Sequence, residues 1–191
     1  LSSSSAASDV YKRQDYNPSG KLPMSFPRSV GQIPIYYNYK NTGRPGPAKE
    51  VFWSHYNDEV NTPLYPFGYG LSYTSFEYSN IKIDNKNLTP DETLNVSIDL
   101  KNTGNCSGKE VVQLYIKDRF ASVTRPVREL KGFEMISLNP GEIKTVNFEI
   151  SETLLQFYSA NEIWESESGF FVIFIGTNSN ADLQESFELI K

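Results

Sequence analysis

Asp58 and Glu59 stand side by side in an aromatic-rich stretch and invite reading as two catalytic carboxylates, one giving and one taking a proton. Neighbouring side chains on an extended chain point to opposite faces, so these two could not flank one scissile bond. A second grouping is more coherent. Arg44, His55, Tyr56 and Asp58 combine charged hydrogen-bonding groups with an aromatic face, the mixture found at the rim of polar ligand pockets. The same residues have a plainer use, in which Asp58 pairs with Arg44 or His55 to pin a loop, and this loop clamp is the reading we favour.

Metal and redox chemistry have less to work with. His55 is the only histidine and Cys106 the only cysteine, so neither an intrachain disulfide nor a Cys/His zinc site can form. We expect no metal and no cofactor. Three Asn-x-Ser/Thr matches (Asn87, Asn95 and Asn105) occur in a chain rich in Asn, Ser and Thr, where such matches arise by chance. Tyr65-Pro66-Phe67-Gly68-Tyr69-Gly70 suits either an aromatic platform or a tight wedge between two domains, and we favour the wedge. Arg125, Arg128 and Lys131 form the densest basic group, read as a solvated loop paired with Glu129 and Glu134, with contact to a partner domain as the alternative.

The elements that would position these residues fall into three stretches. Leu1 to Gln14 is Ser-rich with no apolar segment, so it is not a secretory leader; we expect a non-native tail such as a translated adaptor and set it outside the fold. Residues 15–72 read as short extended pieces broken by proline and by turn signals such as Asn17-Pro18-Ser19-Gly20. No amphipathic period appears there, so its many rings must be buried against something else.

From Tyr73 onward, apolar alternation recurs at the spacing of about 8 to 12 residues expected of a β-sandwich. Val96, Ile98 and Leu100 face one way; Val112, Leu114 and Ile116 repeat the pattern, as do Val146, Phe148 and Ile150. The Asn139-Pro140-Gly141-Glu142 turn suggests a hairpin-like pair with Met135 to Leu138. Phe170 to Ile175 is apolar on both faces, as a covered central strand requires, and Ser186 to Ile190 supplies a last strand. Ser151 to Tyr158 predicts a single serine-capped helical turn bridging the sheets.

Aromatic content of 14% with two Met favours β-structure over helix bundles. A net charge of −5 without a basic cluster argues against nucleic acid, and no run of roughly 18 apolar residues exists for a spanning helix, so neither nucleic acid nor membrane is an expected partner.

Longer motifs add a resemblance. Asp15-Tyr16-Asn17-Pro18-Ser19-Gly20-Lys21-Leu22-Pro23, followed by Pro63-Leu64-Tyr65-Pro66-Phe67-Gly68-Tyr69-Gly70-Leu71-Ser72-Tyr73-Thr74, resembles the end of the second domain of family 3 glycoside hydrolases and its link to a fibronectin-like module. Lys101-Asn102-Thr103-Gly104, Glu110-Val111-Val112-Gln113-Leu114-Tyr115, Arg125-Pro126-Val127-Arg128-Glu129-Leu130-Lys131-Gly132-Phe133 and Phe174-Ile175-Gly176 are similar to that module. His55 departs from the arginine of many relatives, and Cys106 from a usual polar residue.

The resemblance implies a mainly β chain: a fibronectin type III-like (immunoglobulin-like) β-sandwich over 73–191, preceded by the C-terminal strip of an α/β sandwich domain over 15–72. It further implies the non-catalytic end of a periplasmic or secreted, exo-acting β-glucosidase or β-xylosidase with a retaining mechanism. The nucleophile and the acid/base would lie upstream, so no catalytic residue is assigned here, and Arg44, His55, Tyr56 and Asp58 are candidates only for a substrate-pocket rim. Expected partners are the upstream catalytic domains, a β-linked oligosaccharide or glycoside, and a second copy in a homodimer. The competing reading is a stand-alone carbohydrate-binding or oligomerisation sandwich, which for sugar binding needs an exposed aromatic strip or a calcium site on the sandwich itself.

Overall fold

The computed structural model describes residues 16–41, 43 and 55–191, so the expected tail and Arg44 lie outside the described residues. Among the described residues, named strands begin at Phe76. The strands are β1 (Phe76–Ile83), β2 (Asn87–Leu88), β3 (Thr93–Asn102), β4 (Gly108–Asp118), β5 (Glu129–Leu138), β6 (Ile143–Ser151), β7 (Phe157–Tyr158), β8 (Trp164–Glu165), β9 (Gly169–Gly176) and β10 (Leu183–Leu189).

They form a three-stranded sheet in the order β1-β3-β6 and a five-stranded sheet in the order β2-β10-β9-β4-β5. Apart from the short parallel β2–β10 pair, the neighbours in both sheets run antiparallel. Alternation explains the layers: Leu94, Val96, Ile98 and Leu100 of β3 meet Val112, Leu114 and Ile116 of β4 and Phe171, Ile173 and Ile175 of β9 in one buried cluster. Phe171 and Phe187 stack within it, with centroids 5.4 Å apart.

Two expectations change. The Asn139–Glu142 turn does form, with Gly141 at φ +75° and the Glu142 N–H donating to Asn139 O at 3.0 Å, but it does not close a hairpin. β5 pairs with β4 and β6 with β3, so the turn carries the chain from one sheet to the other. Turn chemistry fixes a reversal of direction and leaves open which sheet receives the next strand. Ser151 precedes a single helical turn over Glu152–Leu155, as predicted, yet its side chain makes no capping bond; the chain then enters β7, which with β8 forms a separate two-stranded ribbon.

The expected central strand holds. β9 lies between β10 and β4, with Phe171, Val172, Ile173 and Ile175 buried and Phe170 half exposed. β4 goes further than its alternation suggested, because its outward-facing Gln113 and Tyr115 are only 3% and 0% exposed. Gly68 and Tyr37 of the preceding strip lie over them.

Candidate functional site at the seam between strip and sandwich

The strip has little regular structure; among the described residues it holds one 3-10 turn, Val30–Gln32. It is therefore held by side chains and isolated backbone bonds. Within it, Phe26 and Tyr65 form a bridge, Leu22 N–H donates to Tyr69 O, and Gly68 N–H donates to Leu22 O, each bond being 2.8 Å. Across to the sandwich, Ser179 N–H donates to Phe67 O at 2.9 Å and Val127 N–H to Tyr39 O at 2.9 Å.

Gln113 is the centre of the seam. Its amide nitrogen donates to Gly68 O at 3.1 Å and to Thr177 O at 2.7 Å, while its oxygen accepts from the Tyr115 hydroxyl at 2.5 Å. Every polar atom of a buried carboxamide is thereby satisfied. Tyr37 caps the arrangement: its ring stacks on Phe67 at 4.3 Å and meets Tyr115 edge-on at 5.8 Å, and its hydroxyl accepts from Leu130 N–H at 3.2 Å. Burial, with Tyr37 alongside, raises the Tyr115 phenol well above its ordinary range.

A charged clasp lies beside it. Lys21 Nζ sits 2.9 and 3.1 Å from the two oxygens of Glu110 and donates to Thr177 Oγ1 at 2.7 Å, and the Tyr78 hydroxyl donates to the same carboxylate at 2.9 Å. The side chains of Lys21 and Glu110 are 12% and 6% exposed, so the pair is shielded from water and its geometry matters. Burial first, then the neighbouring Glu110 charge, raises the Tyr78 phenol far above its usual value, so it stays a donor. Asn17 ties the edge, donating to Ser107 O at 3.1 Å and accepting from Ser72 Oγ and Tyr73 N–H at 2.9 and 2.8 Å.

The sequence-chosen residues lie elsewhere. Arg44 falls outside the described residues; His55, Tyr56 and Asp58 are exposed on one loop. That loop is pinned from behind by a residue the sequence reading passed over. Gln32, 2% exposed, accepts from Arg28 N–H at 2.6 Å and donates to Val60 O at 2.7 Å. Arg28 adds a bond from Nε to Thr62 O at 3.1 Å and lies 4.0 Å from Glu59. Glu59 thus belongs to the loop's support, and a lone neutral glutamine leaves no signature by which it could have been found.

The basic group also differs from the solvated loop expected of it. Arg125 lies over the Phe157 ring at 4.3 Å and pairs with Glu129 at 2.6 Å, while its Nε and Nη1 are buried without a hydrogen-bond partner among the described residues. Arg128 lies over Phe174 at 4.2 Å and donates to the carbonyls of Ser179 and Ala181. Lys131 approaches Glu129 at 3.9 Å, and Glu134 is exposed. A planar guanidinium can lie on an aromatic face and still be shielded, which composition alone does not reveal.

Among the described residues no group of three or more His, Cys, Asp or Glu could hold a metal ion, and no helix is long and apolar enough to cross a membrane. Among the described residues, the one carboxylate lining the cleft at the seam, about 240 Å³, is Glu110, already committed to Lys21 and Tyr78.

A fibronectin type III-like sandwich with a strip of another domain bound to its outer face is the class of protein that this fold defines. Residues 13–73 match the glycosyl hydrolase family 3 C-terminal domain, and residues 110–179 match the fibronectin type III-like domain. The chain is 51% identical over 178 residues to a periplasmic β-glucosidase of Salmonella typhimurium, covering 92% of this chain and 23% of that protein. It is 49% identical over 177 residues to a putative β-xylosidase of Formosa agariphila, covering 93% of this chain and 22% of that protein. Among solved structures, a β-glucosidase of Listeria innocua in complex with glucose superposes with a TM-score of 0.87 at 44% identity, over 92% of this chain and 25% of that one. The chain belongs to glycosyl hydrolase family 3, and it spans about a quarter of the length of the relatives it matches.

Proposed function

We propose that this chain is the non-catalytic brace of an exo-acting β-glycosidase, a β-glucosidase or β-xylosidase that removes terminal β-linked sugars with retention. Residues 15–72 are the end of its second domain and 73–191 the sandwich that fixes it. The observation that carries the reading is the seam: Gln113, Lys21 and Tyr37 lock the strip to the sandwich, while the strip's Tyr16, Met24, Val30, Ile33 and Tyr36 stay exposed, as a surface does when it is shaped to rest on a further body.

Retaining hydrolysis needs two carboxyl groups about 5 to 5.5 Å apart, and among the described residues the cleft at the seam holds Glu110 alone, so we place both in the longer enzyme. The upstream catalytic domains and a β-linked glycoside are then its partners, and a periplasmic or secreted location follows the Salmonella relative. A loop clamp stays the favoured use of Arg44, His55, Tyr56 and Asp58; the competing reading, a place at the rim of the sugar pocket, rests on His55, Tyr56 and Asp58 being presented outward by a loop held through Gln32. On the rim reading Arg44→Ala should raise KM in the longer enzyme; unchanged KM and kcat would remove the rim role. Sedimentation tests the homodimer expectation: a clean monomer of this chain would count against it. The main test is hydrolysis of an aryl β-glucoside: the longer enzyme should turn it over and this chain should not, and turnover by this chain overturns the proposal.

A further inference from the structure

β7 and β8 pair Tyr158 directly with Trp164. Strand alternation sends Phe157 inward, where it is buried under the Arg125 guanidinium, and Tyr158 outward. The connecting turn is well braced: Ser159 N–H donates to Ile163 O at 2.9 Å, Glu162 N–H to Ser159 O at 3.1 Å, and Asn161 N–H to Ser159 Oγ at 3.2 Å. At the root, buried Ser166 donates to Glu152 at 2.6 Å, and Lys191 pairs with the same carboxylate. The ribbon is thus fixed at both ends.

On this support the two rings stand 56% and 68% exposed, with centroids 6.0 Å apart and planes at 65°. Neither belongs to the core cluster. A single exposed ring is ordinary, whereas two large rings opposed on a braced ribbon form a preformed apolar corner. Acidic and polar groups stand at its rim beside the exposed Ile163: exposed Asn161 and Glu162 occupy the turn, and Asn161 donates to Glu165 at 3.3 Å.

We infer that the Tyr158–Trp164 corner is a non-catalytic binding site for a neutral β-linked oligosaccharide. The apolar face of a pyranose stacks on Trp164, the adjoining sugar lies against Tyr158, and sugar hydroxyls donate to the carboxylates of Glu162 and Glu165. The acidic rim selects the occupant, because phosphates, acidic lipids and uronic acids are repelled while uncharged hydroxyl donors find acceptors. The choice of β-linked glucose and xylose chains rests on the reading under Proposed function, but the test does not depend on hydrolysis.

The test titrates this chain with cello- and xylo-oligosaccharides, following amide shifts by NMR and heat by calorimetry. Binding with a Kd on the order of millimolar, with shifts confined to residues 157–165, is expected. Trp164→Ala should weaken it by about tenfold or more, Tyr158→Ala should weaken it less, and Tyr16→Ala should leave it unchanged. Absence of sugar-induced shifts, shifts centred elsewhere, or saturation of the corner by choline but not by sugar would overturn the inference. Should Trp164→Ala fail to fold, the wild-type shift map decides alone.

Discussion

The carboxamide of Gln113 and the backbone of Gly68 are in such close contact that Gly68 has no room for a side chain. A methyl group there would lie 2.0 Å from Gln113 Oε1, and the residue already sits at φ +78°, where a Cβ is strained. Sequence neighbours on the strip are thus locked to β4 through one glycine and one glutamine.

Gly68→Ala should therefore free the strip while sparing the core, costing about 1 to 3 kcal/mol of docking. Limited proteolysis checks it: cleavage within residues 16–72 should accelerate, while the sandwich persists as a resistant product.

The Lys21–Glu110 clasp predicts strong non-additivity. Glu110→Ala strands a shielded ammonium and removes the acceptor of the Tyr78 hydroxyl, a loss of about 3 kcal/mol or more, since breaking one side of a buried pair leaves the other uncompensated. Lys21→Met combined with Glu110→Leu should cost less than Glu110→Ala alone; denaturant melts of the single and double variants give the coupling.

Asn102 accepts from Thr74 at 2.6 Å and donates to the carbonyls of Cys106 and Leu138 at 2.8 and 3.2 Å from a fully buried position. Asn102→Ala leaves these groups unsatisfied and should lower stability by about 2 to 4 kcal/mol in urea melts without altering the sheet content seen by circular dichroism.

Burial raises the Asp118 carboxyl above its ordinary value, with the Arg125 charge opposing. Its folded form binds a proton more readily than its unfolded form, so stability falls as pH rises from the unfolded value through the raised folded one. Asp118→Asn keeps an acceptor for Phe120 N–H and should melt about 2 °C higher than the parent at neutral pH, with the difference vanishing below the ordinary aspartate range.

The inner faces of β3, β4 and β9 were legible because a single period places Val96, Leu114 and Ile173 in one core. The outer face of β4 was not: Gln113 and Tyr115 read as solvent-facing until the strip is laid over them. Nor does a turn such as Asn139–Glu142 announce that it joins two sheets. The rim candidates show the same limit, since residue type proposed His55 and Asp58, whereas the loop's support came from Gln32 through backbone carbonyls that no motif records.

Amide hydrogen exchange on this chain tests most directly whether strip and sandwich act as one brace. The N–H groups of Gly68, Leu22, Ser179 and Val127, all bonded within the strip or across the seam, should exchange with protection approaching that of core amides such as Ile98. Free exchange at Gly68 and Ser179 alongside a protected Ile98 would mean that the strip is not held, and the account of the chain as a brace would fail.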